Sequence, residues 1–298
     1  APPRPPHVRA WKDLSPDWKT FEEKRMTALA GMIDRVDREL GRLVTDLEEA
    51  GELDNTLILF LSDNGACPYD RGRTNRSVAQ MPYDPDTRWS DSTGWSWMRN
   101  SPFRFYKQNQ FEGGIATPAI IHWPAGLKTK PGAIVHEPAH VIDVLPTLAE
   151  LCRAPIPRSW PGRDLSPVSG VSLAPILAGK SLGKRPALHF LFKTDRALRD
   201  GDWKAVSFRN QPWELYNLAR DRTELENLAP EEPDRLKRMV AEWHRIAAEV
   251  LQAPANKRQP VDTAAGPKLH PEWSDYQRGP TVANAAKAKR NAKGGAKR

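Results

Sequence analysis

Asp54-Asn55-Thr56-Leu57-Ile58-Leu59-Phe60-Leu61-Ser62-Asp63-Asn64-Gly65 is the stretch whose reading decides the fold. Residues 57–61 are apolar without interruption and read as a buried parallel strand, apolar on both faces. The run stops abruptly at an acid, an amide and a glycine. In open α/β sheets, ligands bind just beyond the carboxyl ends of such strands. The carboxylate of Asp63 and the carboxamide of Asn64 are two hard oxygen donors suited to Ca²⁺ or Mg²⁺. The same residue types also make an ordinary strand-to-turn exit. From these residues alone both readings stand.

The chain on the carboxyl side adds weight to the first reading. Lys107 follows 43 positions after Asn64, then Glu112-Gly113-Gly114-Ile115 and an apolar stretch ending Ile120-Ile121-His122-Trp123-Pro124. A lysine ahead of a Gly-Gly turn can deliver an ammonium to an anionic group, and the glycines permit close backbone approach. In this order, residues 54–65, Lys107 to Ile115 and the strand closed by Trp123-Pro124 resemble the second half of a type I, formylglycine-dependent sulfatase of the alkaline-phosphatase-like superfamily. Ile142-Asp143-Val144-Leu145-Pro146, Gly170-Val171-Ser172-Leu173, Asp200-Gly201-Asp202-Trp203-Lys204 and Trp213-Glu214-Leu215-Tyr216-Asn217 continue the resemblance over residues 26–250, about three quarters of the chain.

The resemblance implies that Asp63 and Asn64 ligate a divalent cation, Ca²⁺ in this family, and that Lys107 contacts the sulfate as its catalytic and substrate-binding cation. Glu112 is expected to be structural, bonding backbone or an arginine. The resemblance also exposes gaps. The family's nucleophile is a formylglycine made from the first residue of Cys-x-Pro-x-Arg or Ser-x-Pro-x-Arg. Cys67-Pro68-Tyr69-Asp70-Arg71 has its proline one place early, and Cys152-Arg153-Ala154-Pro155 one place late. Ser159-Trp160-Pro161-Gly162-Arg163 fits by letters but follows Lys107, in a Pro-rich connector, and is read as a chance match. The paired aspartates of the family's first strand have no counterpart, and His7 lacks the context of the family's sulfate-contacting histidine. The chain opens at Ala1, and the expectation is a C-terminal portion of a longer sulfatase. The formylglycine would lie in the missing N-terminal part, leaving this portion inactive alone.

Composition sets further limits. Hydrophobic residues make up 39% of the 298 and charged ones 28%, ample for a core, and no run approaches the ~18 apolar residues of a membrane span. Two cysteines make no disulfide framework. The net charge of +8 invites a nucleic-acid reading, but six of the cations lie in the tail after residue 281, and the rest carries only +2. That tail reads as disordered and basic, with no specific nucleic-acid partner expected.

The expected fold class is α/β. Part of a mixed alkaline-phosphatase-like sheet flanked by helices occupies residues 1–180. A small antiparallel sheet with a packed helix occupies 181–252, and the basic tail 253–298. A helix over residues 18–50 places Met26, Leu29, Ile33, Val36, Leu40, Leu43, Val44 and Leu47 on one buried face, with Ser15-Pro16-Asp17 as its start and Gly51 as its C-cap. Residues 119–123 read as another buried strand. Residues 66–100 read as a long loop, whose Tyr69, Tyr83, Trp89, Trp95 and Trp97 either stack on a sugar or aryl group or anchor the loop. Four short strands between 187 and 218 and a helix from Pro233 close the chain. His122 is expected in a core or at a pocket edge, and Pro138 argues against a metal pair at His136 and His140.

The leading function is therefore sulfate-ester hydrolysis with a divalent cation, acting on a sulfated small molecule or sulfated glycan. The alternatives are a related phosphodiesterase or phosphonate hydrolase, which the missing half would discriminate, and a polyanion-binding fragment driven by the tail. A periplasmic or secreted location is what the family implies. Oligomeric state and regiochemistry are not legible.

Overall fold

A computed structural model describes residues 2–5, 8–69 and 90–250 of the protein. Tyr83, Trp89, His7 and the basic tail, all singled out above, lie outside the described residues. In chain order the main elements are α1 (Pro16–Glu49), β1 (Ile58–Leu61), α2 (Thr93–Asn100), the single turn α3 (Glu112–Ile115), β2 (Ala119–His122) and α4 (Val144–Leu151). They are followed by a two-residue hairpin, β3 (Ser159–Trp160) and β4 (Arg163–Asp164), then α5 (Ala174–Leu177), β5 (Leu188–Phe192), β6 (Asp195–Asp200), β7 (Trp203–Ser207), β8 (Glu214–Asn217) and α6 (Pro233–Val250). Two compact units emerge. One combines the described residues of 1–39, 64–116 and 188–250; the other combines 40–63 and 117–187.

In the first unit, β5-β6-β7-β8 form an antiparallel meander. Asp200 pairs with Trp203 around Gly201, whose φ of 58° makes the tight turn. Phe111, Ala197, Val206, Tyr216 and Leu218 form the core beneath it, joined by Phe105, Phe190 and Phe208. Helix α6 covers the meander with Met239, Trp243 and Ala247, spaced four apart on one face. The Trp243 indole N–H donates to the Phe190 carbonyl at 3.1 Å, so the largest side chain of that face is also polar-satisfied.

The ends of α1 follow their sequence signals. The Trp18 N–H donates to Ser15 Oγ at 3.3 Å, and Pro16 occupies the first turn. At the other end Gly51 sits at φ 70° while the Glu52 N–H reaches back to the Leu47 carbonyl at 2.9 Å and the Gly51 N–H to the Glu48 carbonyl at 3.0 Å, a Schellman cap. The expected buried face is not found along its length. Trp18, Phe21, Glu22 and Arg25 are buried, but Met32, Ile33, Val36, Leu43 and Val44 are exposed. Periodicity aligns those apolar residues on one side of the helix; it does not provide an element to cover them.

The second unit departs further from the sequence reading. β1 pairs antiparallel with β2, Ile58 opposite His122 and Leu61 opposite Ala119. Among the described residues β1 has no parallel partner, so the parallel assignment is corrected. Neither strand is buried: Phe60, Leu61 and Ile120 are exposed, Ile120 to 63%, and His122 is exposed rather than in a core. An uninterrupted apolar run signals what a strand can bury, whereas burial requires a second layer. Elsewhere in this unit Asp143 is buried and organises its surroundings. It accepts from Arg185 Nη1 at 2.8 Å and Nη2 at 3.1 Å, and from the backbone N–H groups of His140 and Val171. Gly170 is needed beside it, since a Cβ there would lie 2.1 Å from the Ile142 carbonyl oxygen. Ser159 stands exposed in the β3–β4 hairpin, turned by Gly162 at φ 82°.

The segment 93–100, read as loop, is helical. Ser92 caps it, its Oγ accepting the Trp95 N–H at 3.3 Å. Thr93-Gly94 at the first turn conceals the helix from propensity. Trp95 is an anchor, its indole N–H donating to the Glu22 carbonyl at 2.9 Å.

Candidate functional site

The first unit brings together the two segments that the sequence reading singled out. The Gly65 N–H donates to the Gly114 carbonyl at 2.9 Å, and the Lys107 N–H donates to the Ala66 carbonyl at 3.0 Å. Asn100 ties the junction from the side, accepting the Ala66 N–H at 3.2 Å and donating to the Phe105 carbonyl at 3.2 Å. The contact is too close for side chains. A Cβ on Gly65 would lie 1.9 Å from the Gly113 oxygen, one on Gly113 2.2 Å from the Arg104 oxygen, and one on Gly114 2.2 Å from the Asn109 oxygen. Three glycines from distant positions are therefore required by one backbone crossing.

Asp63 and Asn64 are consecutive residues of the bend that follows β1, Asp63 exposed and Asn64 half-buried. As donors they match a hard divalent cation in kind, one carboxylate and one carboxamide oxygen. In number they supply two of the about six to eight oxygens that Ca²⁺ takes. Among the described residues no group of three or more His, Cys, Asp or Glu side chains gathers to complete such a shell. His140 serves the backbone, its Nδ1 accepting the Ile142 N–H at 3.2 Å.

Lys107 lines a cleft within the first unit, together with Tyr69, Tyr106, Gln108, Asn109 and Arg209. The Tyr69 hydroxyl donates to Gln108 Oε1, and Asn109 Oδ1 accepts the Phe111 N–H at 3.0 Å. Phe105 stacks on Phe208, with ring centroids 5.1 Å apart, which binds the Lys107 loop to the connection after β7.

Beneath the Gly113-Gly114 turn lies a cluster that the sequence did not reveal. Lys204 of β7 is fully buried, and its ammonium lies 2.8 Å from Glu112 Oε1 and 2.8 Å from Glu224 Oε1, both carboxylates equally inaccessible. The Glu112 N–H donates to Glu224 Oε2 at 2.6 Å. Burial alone would raise the Glu112 pKa, but Lys204, with Arg199 and Arg222, brings it below the ordinary carboxylate range. Glu224 is pushed up, by burial first and by the Glu112 charge in addition. One ammonium compensates one carboxylate, and the second is biased towards its proton. Arg104 adds a neighbouring clamp, donating from Nη1 to the Tyr216 hydroxyl at 2.8 Å and the Glu224 carbonyl at 2.9 Å. Glu112 thus has the structural role expected of it, with a lysine as its closest charged partner and Arg222 at 3.5 Å. Nothing in Asp202-Trp203-Lys204 betrays a buried lysine, because the carboxylates that meet it, Glu112 and Glu224, come from other segments.

Comparison with known proteins shows the family. The family model named Sulfatase matches residues 3–154. The chain belongs to the sulfatase family. A second model, the C-terminal region of N-sulphoglucosamine sulphohydrolase, matches residues 103–248. An uncharacterized sulfatase of Schizosaccharomyces pombe is 32% identical over 271 residues, covering 83% of this chain and 48% of the relative. Arylsulfatase of Klebsiella aerogenes is 31% identical over 204 residues, 61% of this chain and 42% of its own. Among solved structures, Ps i-CgsB, determined in complex with a neocarrahexaose, is 25% identical with a TM-score of 0.56, covering 83% of this chain and 48% of that one. A sulfatase-like chain from Bacteroides thetaiotaomicron, 18% identical with a TM-score of 0.50, adds likeness of fold alone. The fold is alkaline-phosphatase-like, and this sulfatase chain spans about half the length of the curated relatives it matches. No described helix is long and apolar enough to cross a membrane.

Proposed function

We propose that these residues form the cation- and sulfate-binding side of an enzyme that hydrolyses sulfate esters of a sulfated small molecule or glycan. The observation that carries this reading is the backbone crossing at Gly65 and Gly113-Gly114, which ties the Asn64 segment to the Lys107 loop in a sulfatase-family chain. Asp63 and Asn64 would hold the divalent cation, Ca²⁺ by family resemblance, which supplies Lewis-acid stabilisation of charge on the sulfuryl oxygens when bound. Lys107 presents its ammonium where charge develops on the sulfate and its leaving oxygen. Glu112 takes no part in proton transfer, since the buried Lys204 ammonium holds its carboxylate in an ion pair. The nucleophile is a formylglycine from outside these 298 residues, for which neither cysteine nor Ser159 provides a properly placed motif.

The test is turnover of an aryl sulfate by the enzyme carrying the formylglycine segment, alongside the 298-residue chain alone. The chain alone is expected to show no turnover above a buffer blank. In the active enzyme, Lys107→Ala should lower kcat by about 10²–10³-fold while keeping Ca²⁺ affinity. Asp63→Ala should weaken Ca²⁺ binding in a calorimetric titration. Near-normal turnover in Lys107→Ala, or unchanged Ca²⁺ affinity in Asp63→Ala, removes the corresponding role. Preference for a phosphodiester over every sulfate ester would move the reading to phosphoryl transfer.

A further inference from the structure

The α3 turn, which carries the backbone crossing, has little in its own sequence to hold it. Glu112-Gly113-Gly114-Ile115 contains two glycines in four residues, and glycine is among the poorest helix formers. A single turn also fixes many dihedrals for few hydrogen bonds. Phe111, at the capping position, offers no side-chain acceptor. The first N–H groups of the turn are satisfied from outside instead. The Glu112 N–H donates to Glu224 Oε2 at 2.6 Å, across 112 positions of sequence, and the Gly113 N–H donates to the Arg104 carbonyl at 3.0 Å. The Glu224 carboxyl thus does what an N-cap side chain does, accepting from an orphan backbone donor.

Glu224 also holds the approach to Lys107. Its backbone carbonyl accepts from Arg104 Nη1 at 2.9 Å, and Arg104 lies three positions before Lys107. One residue therefore registers both sides of the crossing. Its side chain holds the turn whose Gly114 carbonyl accepts the Gly65 N–H, and its backbone holds the segment that leads to Lys107. Glu224 sits at φ 58°, a left-handed conformation unfavourable for a residue with a Cβ. Such conformations persist where the surrounding structure over-determines them. Charge balance does not require Glu224. Lys204 needs one carboxylate, and Glu112 supplies it at 2.8 Å. Glu224 is the second, pushed up by burial and biased towards its proton. Its distinct contribution is an acceptor oxygen held at a fixed reach.

We propose that Glu224 is a positioning residue for sulfate-ester hydrolysis, a cap supplied from a distant segment that sets the α3 turn and through it the placing of the Asn64 bend beside the Lys107 loop. The catalytic consequence rests on the sulfatase reading above, whereas the capping rests on the contacts of Glu224 itself.

The experiment compares substitutions in the enzyme carrying the formylglycine segment. The readouts are kcat on an aryl sulfate at saturating Ca²⁺ and hydrogen exchange of the peptides that contain Gly65 and Lys107. Glu224→Gln keeps the reach and an acceptor oxygen and mimics the protonated carboxyl, so it should keep both kcat and protection. Glu224→Asp keeps the charge but draws the acceptor back by one methylene. Glu224→Leu fills the volume without an acceptor and leaves Lys204 and Glu112 as a balanced pair. Both should lower kcat by about tenfold or more, the scale of a slightly misplaced catalytic group. Both should also speed exchange at Gly65 while the β5–β8 meander stays protected. A role in stability alone would loosen the meander and leave the kcat of folded enzyme unchanged. Wild-type kcat in Glu224→Asp, or a Glu224→Gln as impaired as Glu224→Asp, overturns the proposal. That pair decides the matter even where Glu224→Leu does not fold. A wild type that turns over no sulfate ester loses the reaction, and exchange at Gly65 then decides the capping separately.

Discussion

The β1–β2 pair and the β5–β8 meander are both antiparallel ladders rich in apolar residues, yet they end in opposite environments. In the meander Ala197, Ala205 and Leu215 are inaccessible, while across β1 and β2 Phe60, Leu61 and Ile120 face outward. The more continuous apolar sequence, residues 57–61, is the more exposed. The meander even buries a lysine completely, because Glu112 and Glu224 arrive from other segments to meet it. Burial thus follows from what is laid over a strand and how its polar atoms are matched, and less from the strand's own hydrophobicity.

The largest test of this contrast is Lys204→Met, which leaves Glu112 buried without its ammonium. Removal of one partner from such a pair typically costs about 3–5 kcal/mol, measurable by urea unfolding. The two carboxylates should differ as well. Glu224→Gln, replacing the group biased towards its proton, should cost less than Glu112→Gln, which removes the ionised one. Equal losses would break the assignment of charge within the cluster.

A second test uses pH. Asp195 is buried with its carboxyl pushed up to about 7 by desolvation, against an ordinary value of 3.8. The native state then holds a proton that the unfolded chain releases. The associated stability is fully present below about pH 4 and is lost as pH rises through about 7. A shift of about three units corresponds to about 4 kcal/mol at most. Asp195→Asn should flatten this part of the stability–pH curve. An unchanged slope between pH 4 and 7 would assign the loss to other groups.

The smallest expected effect lies in the other ladder. Ile120→Ser at a position 63% exposed should change unfolding free energy by no more than about 0.5 kcal/mol. A loss above about 2 kcal/mol would mean that this face is covered in solution, and the contrast between the two ladders would disappear.

Several features were legible because they depend on neighbours in sequence. Ser15-Pro16 and Gly51 mark the ends of α1, and the Asp200-Gly201 turn together with the alternating residues around it predicts β6 and β7 closely. The order of Asp63-Asn64-Gly65, Lys107 and Glu112-Gly113-Gly114 also sufficed to identify the sulfatase family, since short motifs in a constant order survive without knowledge of their contacts. The pairing direction of β1, the exposure of the α1 stripe and the burial of Lys204 were decided only in three dimensions. Each depends on which distant segment lies alongside, and a residue's type carries no record of that partner. Local sequence determines which conformations and chemistries are available; tertiary packing decides which carboxylate meets which ammonium, and which apolar face is left to water.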